Sequence, residues 1–435
     1  MSKSLLILSL ASFIPVQAGC PADGEAPVDA DLGVDTAPPD TNDTAPPVDA
    51  DATSPPDTPD AVSPPDISDT SEVDADTTEP PSEVMRVHVL DVGQGEAILI
   101  ELPCGAMLID TGGEVTPASA DAPAFDSVDA LDNQLRAFFA GRPDLDQTLD
   151  LVVLTHPHID HTRGVTRLIE MVSDGELVIG NIVTNGAEGS GSGVVQQRDL
   201  HDFADAQTIP RWYVLERKAR PDGLSNDIID PFPACSRTPG ATPIDPKVTA
   251  LWGRIDDASD LTSTWRADDL DNQNNHSVVL RVDFGLASAL FPGDLESPGI
   301  GELIRTFWST DLLDVDLYKA GHHGSYNGTT AALISTMSPE VAVISAGPAH
   351  RTGPWTAWSF GLPRWAAVSD MLGDTDSPGV ALDRPTAITV PIGASWNGEH
   401  GVFVDRPIGP AVFCTGWDGT IGVTLSADGD MVLPD

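Results

Sequence analysis

The chain has 435 residues, with 22 Lys and Arg against 67 Asp and Glu, a formal net charge of −45. Residues 21–84 hold 18 of the acids, 13 prolines and no Lys or Arg, and residues 85–435 still carry 21 bases against 49 acids, a net −28. A broad basic face that wraps nucleic acid is thereby excluded, because phosphate binding needs Lys and Arg.

The N-terminus reads Lys3, an apolar run from Leu5 to Ala11, then Val16-Gln17-Ala18-Gly19-Cys20. The run is too short for a permanent membrane span and has the parts of a secretory signal. Small residues before a cysteine resemble the bacterial lipoprotein signal, which implies lipidation of Cys20 and a lipid anchor to the cell envelope, outer membrane or periplasm. Gln17 departs from that pattern, which prefers Leu there. Plain secretion, with cleavage after Ala18, is the alternative. Residues 1–19 are therefore read as signal peptide and 20–84 as linker. The linker repeats DTAPPD, DTAPPVDAD, ATSPPDTPD and AVSPPDISD. With few apolar side chains and uncompensated charge, it is expected to be disordered and extended.

One domain is expected over 85–435. Strands are predicted at 85–92, 97–101 and 107–110, a helix at 128–139, a strand at 149–155 and a helix at 164–172. Residues 185–270, rich in Gly, Pro and Asp, read as an insertion over the core. Strands at 277–284 and 287–291, a helix near 303–308, and strands at 315–320 and 341–345 follow. A β-rich extension begins at about 366 and ends in alternation over 420–425 before Ala427-Asp428-Gly429. Single helices between strands give an α/β (α+β) class. Beyond Cys20, the cysteines Cys104, Cys235 and Cys414 permit one disulfide and one free thiol, with the pairing open.

The strongest chemical signal is Thr155-His156-Pro157-His158-Ile159-Asp160-His161, delivered by an apolar strand. Three imidazoles and a carboxylate within six residues suit Zn, Mn or Fe. Asp110, Asp294 and the pair His322-His323 each follow a predicted strand, and six of the ten histidines lie in or beside these places. Each strand-end residue alone could be a turn residue. Their joint occurrence points to a metal site.

In order, Asp91–Ala97, Leu108–Gly113, Thr155–His161, Asn274–Leu280, Phe291–Asp294 and Lys319–Ser325 resemble the metallo-β-lactamase superfamily. The resemblance is nearest to the hydrolase domain of ComEC-like competence proteins and covers about 85–347. It implies a four-layer αββα sandwich with two divalent ions, Zn or Mn. By the same resemblance His156 and His158 hold one ion, Asp160 and His161 the second, Asp294 bridges them and His322 completes the set. Asp160, His323 and Lys319 then carry catalysis. His323 gives a proton to the leaving group or touches substrate, and Lys319 neutralises an anionic substrate. Asp110 and Asp91 stand behind the ligands and orient them. Glu96 stands where the family usually has Asp. His276, and His350 near Gly353-Pro354, have open roles.

Two such ions lower the pKa of a shared water toward neutrality and neutralise charge developing on substrate oxygens. The expected activity is hydrolysis of a phosphodiester, in DNA or a nucleotide, with a small molecule or a short nucleic acid as partner. A basic pocket of Arg163, Lys319 and Arg351 would admit a short single strand. An ester, lactone or β-lactam substrate is the first alternative, and a non-catalytic surface binding module on the same fold the second.

Overall fold

A computed structural model describes residues 83–434 apart from 119–122, 188, 190, 214–226, 256–260, 262–264 and 376. The expected signal peptide, the Cys20 lipidation site and all but the last two linker residues lie outside the described residues.

The principal strands are β1 (Val84–Val89), β2 (Ile98–Leu102), β3 (Gly105–Ile109), β4 (Leu151–Leu154), β5 (Ile182–Thr184), β6 (Arg211–Tyr213), β7 (Asp227–Ile229), β8 (Lys247–Trp252), β9 (Val279–Phe284), β10 (Ala287–Phe291), β11 (Leu317–Lys319), β12 (Val341–Ile344), β13 (Asp383–Trp396), β14 (Gly401–Pro410), β15 (Val412–Cys414), β16 (Ile421–Ser426) and β17 (Met431–Val432). The helices used below are α1 (Ser127–Gly141), α2 (Ile159–Thr162), α3 (Val165–Ser173), α4 (Val194–Gln207), α5 (Ser297–Phe307), α6 (Ala331–Met337), α7 (Ala357–Phe360) and α8 (Trp365–Leu372).

One sheet runs β6-β5-β4-β3-β2-β1-β16-β17 and the other β7-β8-β9-β10-β11-β12-β15. Their inner faces share one core, in which Val87, Ile100, Met107 and Val153 meet Val282, Ala289, Phe291 and Val343. The outer face of the first sheet packs on α1, α3 and α4 through Leu131, Leu135, Leu168 and Leu200. The outer face of the second packs on α5, α6 and α8 through Leu303, Phe307, Leu333 and Val368. Each sheet is thus apolar on both faces, and helices cover what the sheets do not cover for each other. The result is the four-layer αββα order. α1 shows how locally this is written: the Asp126 carboxylate caps it by accepting from the Val128 amide at 2.9 Å, and Leu131, Leu135 and Phe139 recur every four residues on its buried face.

β3, β4, β5 and β6 are parallel, and so are β10, β11, β12 and β15. Parallel strands bring their carboxyl ends to one edge, where clefts of α/β sheets form. The loops bearing Asp110, His156–His161, Asp294 and His322–His323 all leave such ends.

Two expectations need correction. The 185–270 stretch is not simply laid over the core, since it supplies β6, β7, β8 and α4. β8 is buried along Val248–Trp252, so it lacks the polar alternation that marks a half-exposed strand, and it stands among Gly, Pro and Asp that read as loop. The tail is not only an extension either. β15 closes the second sheet, and β16 pairs antiparallel with β1, setting Met85 opposite Leu425 and Val87 opposite Val423. The β16–β17 hairpin turns through Ala427–Gly429, as the sequence suggests. β13 and β14 form a separate two-stranded sheet. The cysteine pairing left open resolves as Cys104–Cys235, with Cα atoms 6.0 Å apart, while Cys414 is free and buried.

On β2, Glu101 accepts from Arg142 Nη1 at 2.6 Å and Arg86 Nη1 at 3.2 Å, and lies 3.3 Å from His88 Nε2. Burial pushes its carboxyl up, but the His88 and Arg142 hydrogen bonds and the charges of Arg86 and Arg142 outweigh it and lower the pKa from 4.5 to about 2. A depressed carboxylate contributes stability above its unfolded pKa and loses it as pH falls through the folded one. Thermal unfolding of Glu101→Gln is therefore expected at a lower Tm than the parent at neutral pH. The gap should close between pH 4.5 and about 2. A gap unchanged by acid would show that the charge is not what matters there.

Candidate metal centre

The loop after β4 starts with Thr155 and enters α2 at Ile159, which puts His156, His158, Asp160 and His161 around one turn. Two glycine loops press on it. The Glu96 amide donates to the Asp160 carbonyl at 3.0 Å, and the Thr111 amide to the His161 carbonyl at 2.7 Å. A Cβ on Gly113 would collide with the Cα of Asp160, so only glycine lets the Asp110–Gly113 loop approach this closely.

Asp294 comes from the turn after β10 and is 1% exposed. Its Oδ2 lies 3.2 Å from His161 Nε2, 3.4 Å from His323 Nε2, 3.8 Å from His322 Nε2 and 3.9 Å from His156 Nε2. His323 Nε2 is also 3.3 Å from Asp160 Oδ2, and His156 Nε2 is 3.1 Å from His158 Nδ1. Asp160, His161, Asp294 and His323 each offer one ligand atom, all within 4.8 Å of one another. The six residues expected to hold the ions are brought together, with His323, expected to act on protons or substrate, among them.

His161 Nε2, His323 Nε2 and Asp294 Oδ1 are buried and make no well-formed hydrogen bond among the described residues, although carboxylate oxygens stand 3.2, 3.3 and 3.4 Å from the two nitrogens. Buried polar atoms are rarely left so, and imidazole nitrogens and carboxylate oxygens aimed at a common point suit a divalent cation. The residues therefore fit the group that the sequence resemblance implies.

Electrostatics agree. Burial raises the Asp294 carboxyl, but His161, His323 and His322 hold it well below the usual range. Burial raises the Asp160 carboxyl, but the His323 and His161 imidazoles beside it outweigh this and lower it as well. Burial lowers both His161 and His323, yet Asp294 and Asp110 drive His161 well above its ordinary value, and Asp294 and Asp160 push His323 to about 9. Burial and cationic neighbours push His156 well below, leaving it a neutral donor.

Behind the centre, Asp110 Oδ2 accepts from His161 Nδ1 and from the Thr155 hydroxyl, each at 2.7 Å, and Oδ1 accepts from the Thr155 amide at 2.8 Å. This fixes the ring of His161 with Nε2 forward, as the sequence led us to expect of Asp110. Asp110, His322 and His323 hold φ of 57°, 47° and 53°. Such left-handed backbone is sparse for non-glycine residues and collects at functional sites.

Two expected site residues do not take the places read for them. Lys319 is fully buried on β11 and its ammonium is engaged by the fully buried Glu96 carboxylate. It cannot meet a substrate, so the basic pocket read with Arg163 and Arg351 loses its Lys319; Arg163 Nε donates to the Gly113 carbonyl and Arg351 pairs with Glu114 at 3.1 Å. Asp91 orients no ligand, because its Oδ1 accepts from the Gly93 amide at 3.1 Å within its own turn. His276 is a core histidine: Nδ1 accepts from the Ile255 amide and Nε2 donates to the Leu270 carbonyl. His350 is exposed.

Other supporting residues went unassigned. Glu296 Oε1 accepts from Asn274 Nδ2 at 2.8 Å and stands 3.5 Å from His322 Nδ1, which is also 3.2 Å from Asn327 Oδ1. His323 Nδ1 donates to the Ser345 carbonyl at 2.9 Å. Proximity to Asp294 and His322 in sequence was the only signal for Glu296 and Asn327.

Residues 90–347 match the description "Metallo-beta-lactamase superfamily". The chain belongs to this superfamily. Its ComEC-like character is borne out as well. ComE operon protein 3 of Bacillus subtilis is 26% identical over 275 residues, which are 61% of this chain and 29% of that protein. Recombination protein 2 of Haemophilus influenzae is 26% identical over 275 residues, 63% of this chain and 25% of that protein. The chain thus spans less than a third of the length of these relatives. The metallo-beta-lactamase fold protein YhfI of Bacillus subtilis is 13% identical, covers 60% of this chain and 85% of its own, and aligns with a TM-score of 0.30.

Removing one partner of a fully buried ion pair strands the other charge, at a cost of about 3–5 kcal/mol. Lys319→Ala is expected to lower unfolding stability by that amount in urea titration. Loss of activity with stability intact would return Lys319 to the substrate.

Proposed function

We propose that this superfamily member is an exported, metal-dependent hydrolase acting on a phosphodiester in a short nucleic acid or nucleotide. The observation that carries the reading is the convergence of Asp160, His161, Asp294 and His323 with His156, His158 and His322 beside them, buried donor atoms unpartnered. His156 and His158 with Asp294 would hold one divalent ion, and Asp160, His161 and His323 with Asp294 the other. Such a pair, Zn or Mn, supplies Lewis acidity that acidifies water and offsets negative charge on the oxygens of the scissile bond.

The chain's own residues do the positioning. Asp110 keeps His161 in one tautomer and orientation, the Ser345 carbonyl does the same for His323, and the glycine loops fix the Asp160 backbone. His323, expected to handle protons or substrate, fits better among the ligands, since its Nε2 stands between Asp160 and Asp294. His322 is the more exposed of the pair, its side chain 25% accessible. With Nδ1 toward the acceptor oxygens of Asn327 and Glu296, its Nε2 faces the centre, 3.5 Å from the Asn274 amide nitrogen and 3.8 Å from Asp294, and when the ring carries both protons it would give one to the leaving oxygen. The name of one relative, Recombination protein 2, favours a nucleic-acid substrate over an ester, lactone or β-lactam. The Cys104–Cys235 disulfide favours an oxidising compartment, in keeping with the N-terminal signal and with lipid anchoring through Cys20.

His158→Ala and Asp294→Ala are expected to lose most bound metal by elemental analysis, and turnover of a phosphodiester chromophore by at least 100-fold, with the fold retained by circular dichroism. Parallel assay of an ester chromophore, each with and without chelator, identifies the bond. Preference for the ester, or chelator-independent turnover, would defeat the reading. Cys20→Ser should move the protein from the membrane to the soluble fraction on cell fractionation, and no shift would leave plain secretion.

A further inference from the structure

Beside the centre runs a strip of aromatic rings that the hydrolysis chemistry itself does not use. Tyr326, three residues beyond His323, is 55% exposed. The Arg364 amide donates to the Gly324 carbonyl at 2.8 Å, which sets the start of α8 against the histidine loop. The half-buried Arg364 guanidinium lies along Gly361 and makes no ion pair with a carboxylate among the described residues. Phe360 precedes Gly361, and its ring centroid is 6.1 Å from that of Trp355, which is 64% exposed. Behind it the β13–β14 hairpin is tied on, Trp396 donating to the Ser359 carbonyl and His400 stacking on Trp358 at 4.2 Å. Tyr326, Arg364, Phe360 and Trp355 thus lie on two segments, one leaving the carboxyl end of β11 with His322 and His323 and the other following β12, which the Arg364–Gly324 hydrogen bond holds together.

Exposed rings interleaved with an uncompensated guanidinium are the chemistry of single-strand binding, in which π-faces take bases and the cation takes a phosphate. We propose that this strip holds consecutive nucleotides of a single-stranded oligonucleotide, bases on Tyr326 and Trp355 and a phosphate on Arg364, and so presents the next phosphodiester to the centre. The inference rests on the phosphodiester reading and narrows its substrate class. A duplex is disfavoured, because paired bases hide their faces and the net −28 of residues 85–435 repels a long polyanion.

The test is fluorescence anisotropy of a fluorescein-labelled ten-residue oligodeoxythymidine with the full chain, in EDTA so that no hydrolysis occurs. Tyr326→Ala, Trp355→Ala and Arg364→Gln are each expected to weaken Kd about tenfold, and Trp355→Phe, which keeps a ring, to restore most of it. Trp308→Ala serves as the control: Trp308 is 73% exposed at the end of α5, on the opposite edge of the sheet, and its loss should leave Kd unchanged. A duplex of equal length should not compete. Equal affinity across all these proteins, no binding by the parent, or duplex competing as well as single strand would overturn the proposal. Binding with this pattern but no phosphodiester turnover would sink the hydrolysis reading alone. Turnover with binding indifferent to the strip would sink the strip alone.

Discussion

Four carboxylates, Glu96, Asp110, Asp160 and Asp294, crowd the edge where two sheets meet, and three of them are at most 1% exposed. Carboxylates brought this close and this dry cannot all stay ionised without positive charge at hand. The fold answers at each one. Lys319 is committed to Glu96, His161 stands between Asp110 and Asp294, and His323 stands between Asp160 and Asp294. Histidinium and a divalent cation are alternative counter-charges for the same oxygens. A metal entering a site organised in this way would compete with protons.

That constraint explains why the supporting residues are as demanding as the ligands. The Asp110 carboxylate accepts three hydrogen bonds, one from His161 and two from Thr155, and so joins the ends of β3 and β4 while it aims a ligand ring. Glu96 holds the Asp160 carbonyl with its backbone and Lys319 with its side chain. The ends of β2, β3, β4 and β11 are thereby coupled, and a change at one shifts the others. Glycine at 95 and 113 follows from the same crowding, since side chains there would strike Asp160.

The chain keeps the polar centre at one rim and spends its remaining strand surface on packing. Residues of β1, β2, β9 and β10 face each other across the sandwich, and helices cover the outer faces. β16 returns from the far end of the chain to pair with β1. The centre therefore sits on a closed sandwich, while the aromatic path beside it is carried by α7, α8 and the β13–β14 hairpin.

The sequence by itself determined the class of fold and most of the residues that meet at the candidate metal centre. Apolar strands stop at Asp110, His156, Asp294 and His322, and the order of these stops is local information that survives without coordinates. It also marked Asp110 as a support. Only the tertiary structure decided what depends on side chains meeting across hundreds of residues. Lys319 reads as a free cation at a strand end until Glu96, 223 residues away, is found against it. His322 and His323 are neighbours that no pattern separates, and with left-handed backbone at both the second is buried against Asp160 and the first stands at the rim of the centre, its side chain 25% accessible. β8 and β15 are too short and too evenly apolar to declare which sheet they complete. Periodicity and motif record which faces are buried, but partner choice is set by packing and by the neutralisation of charge in a dry cleft, and neither is written within a single stretch of chain.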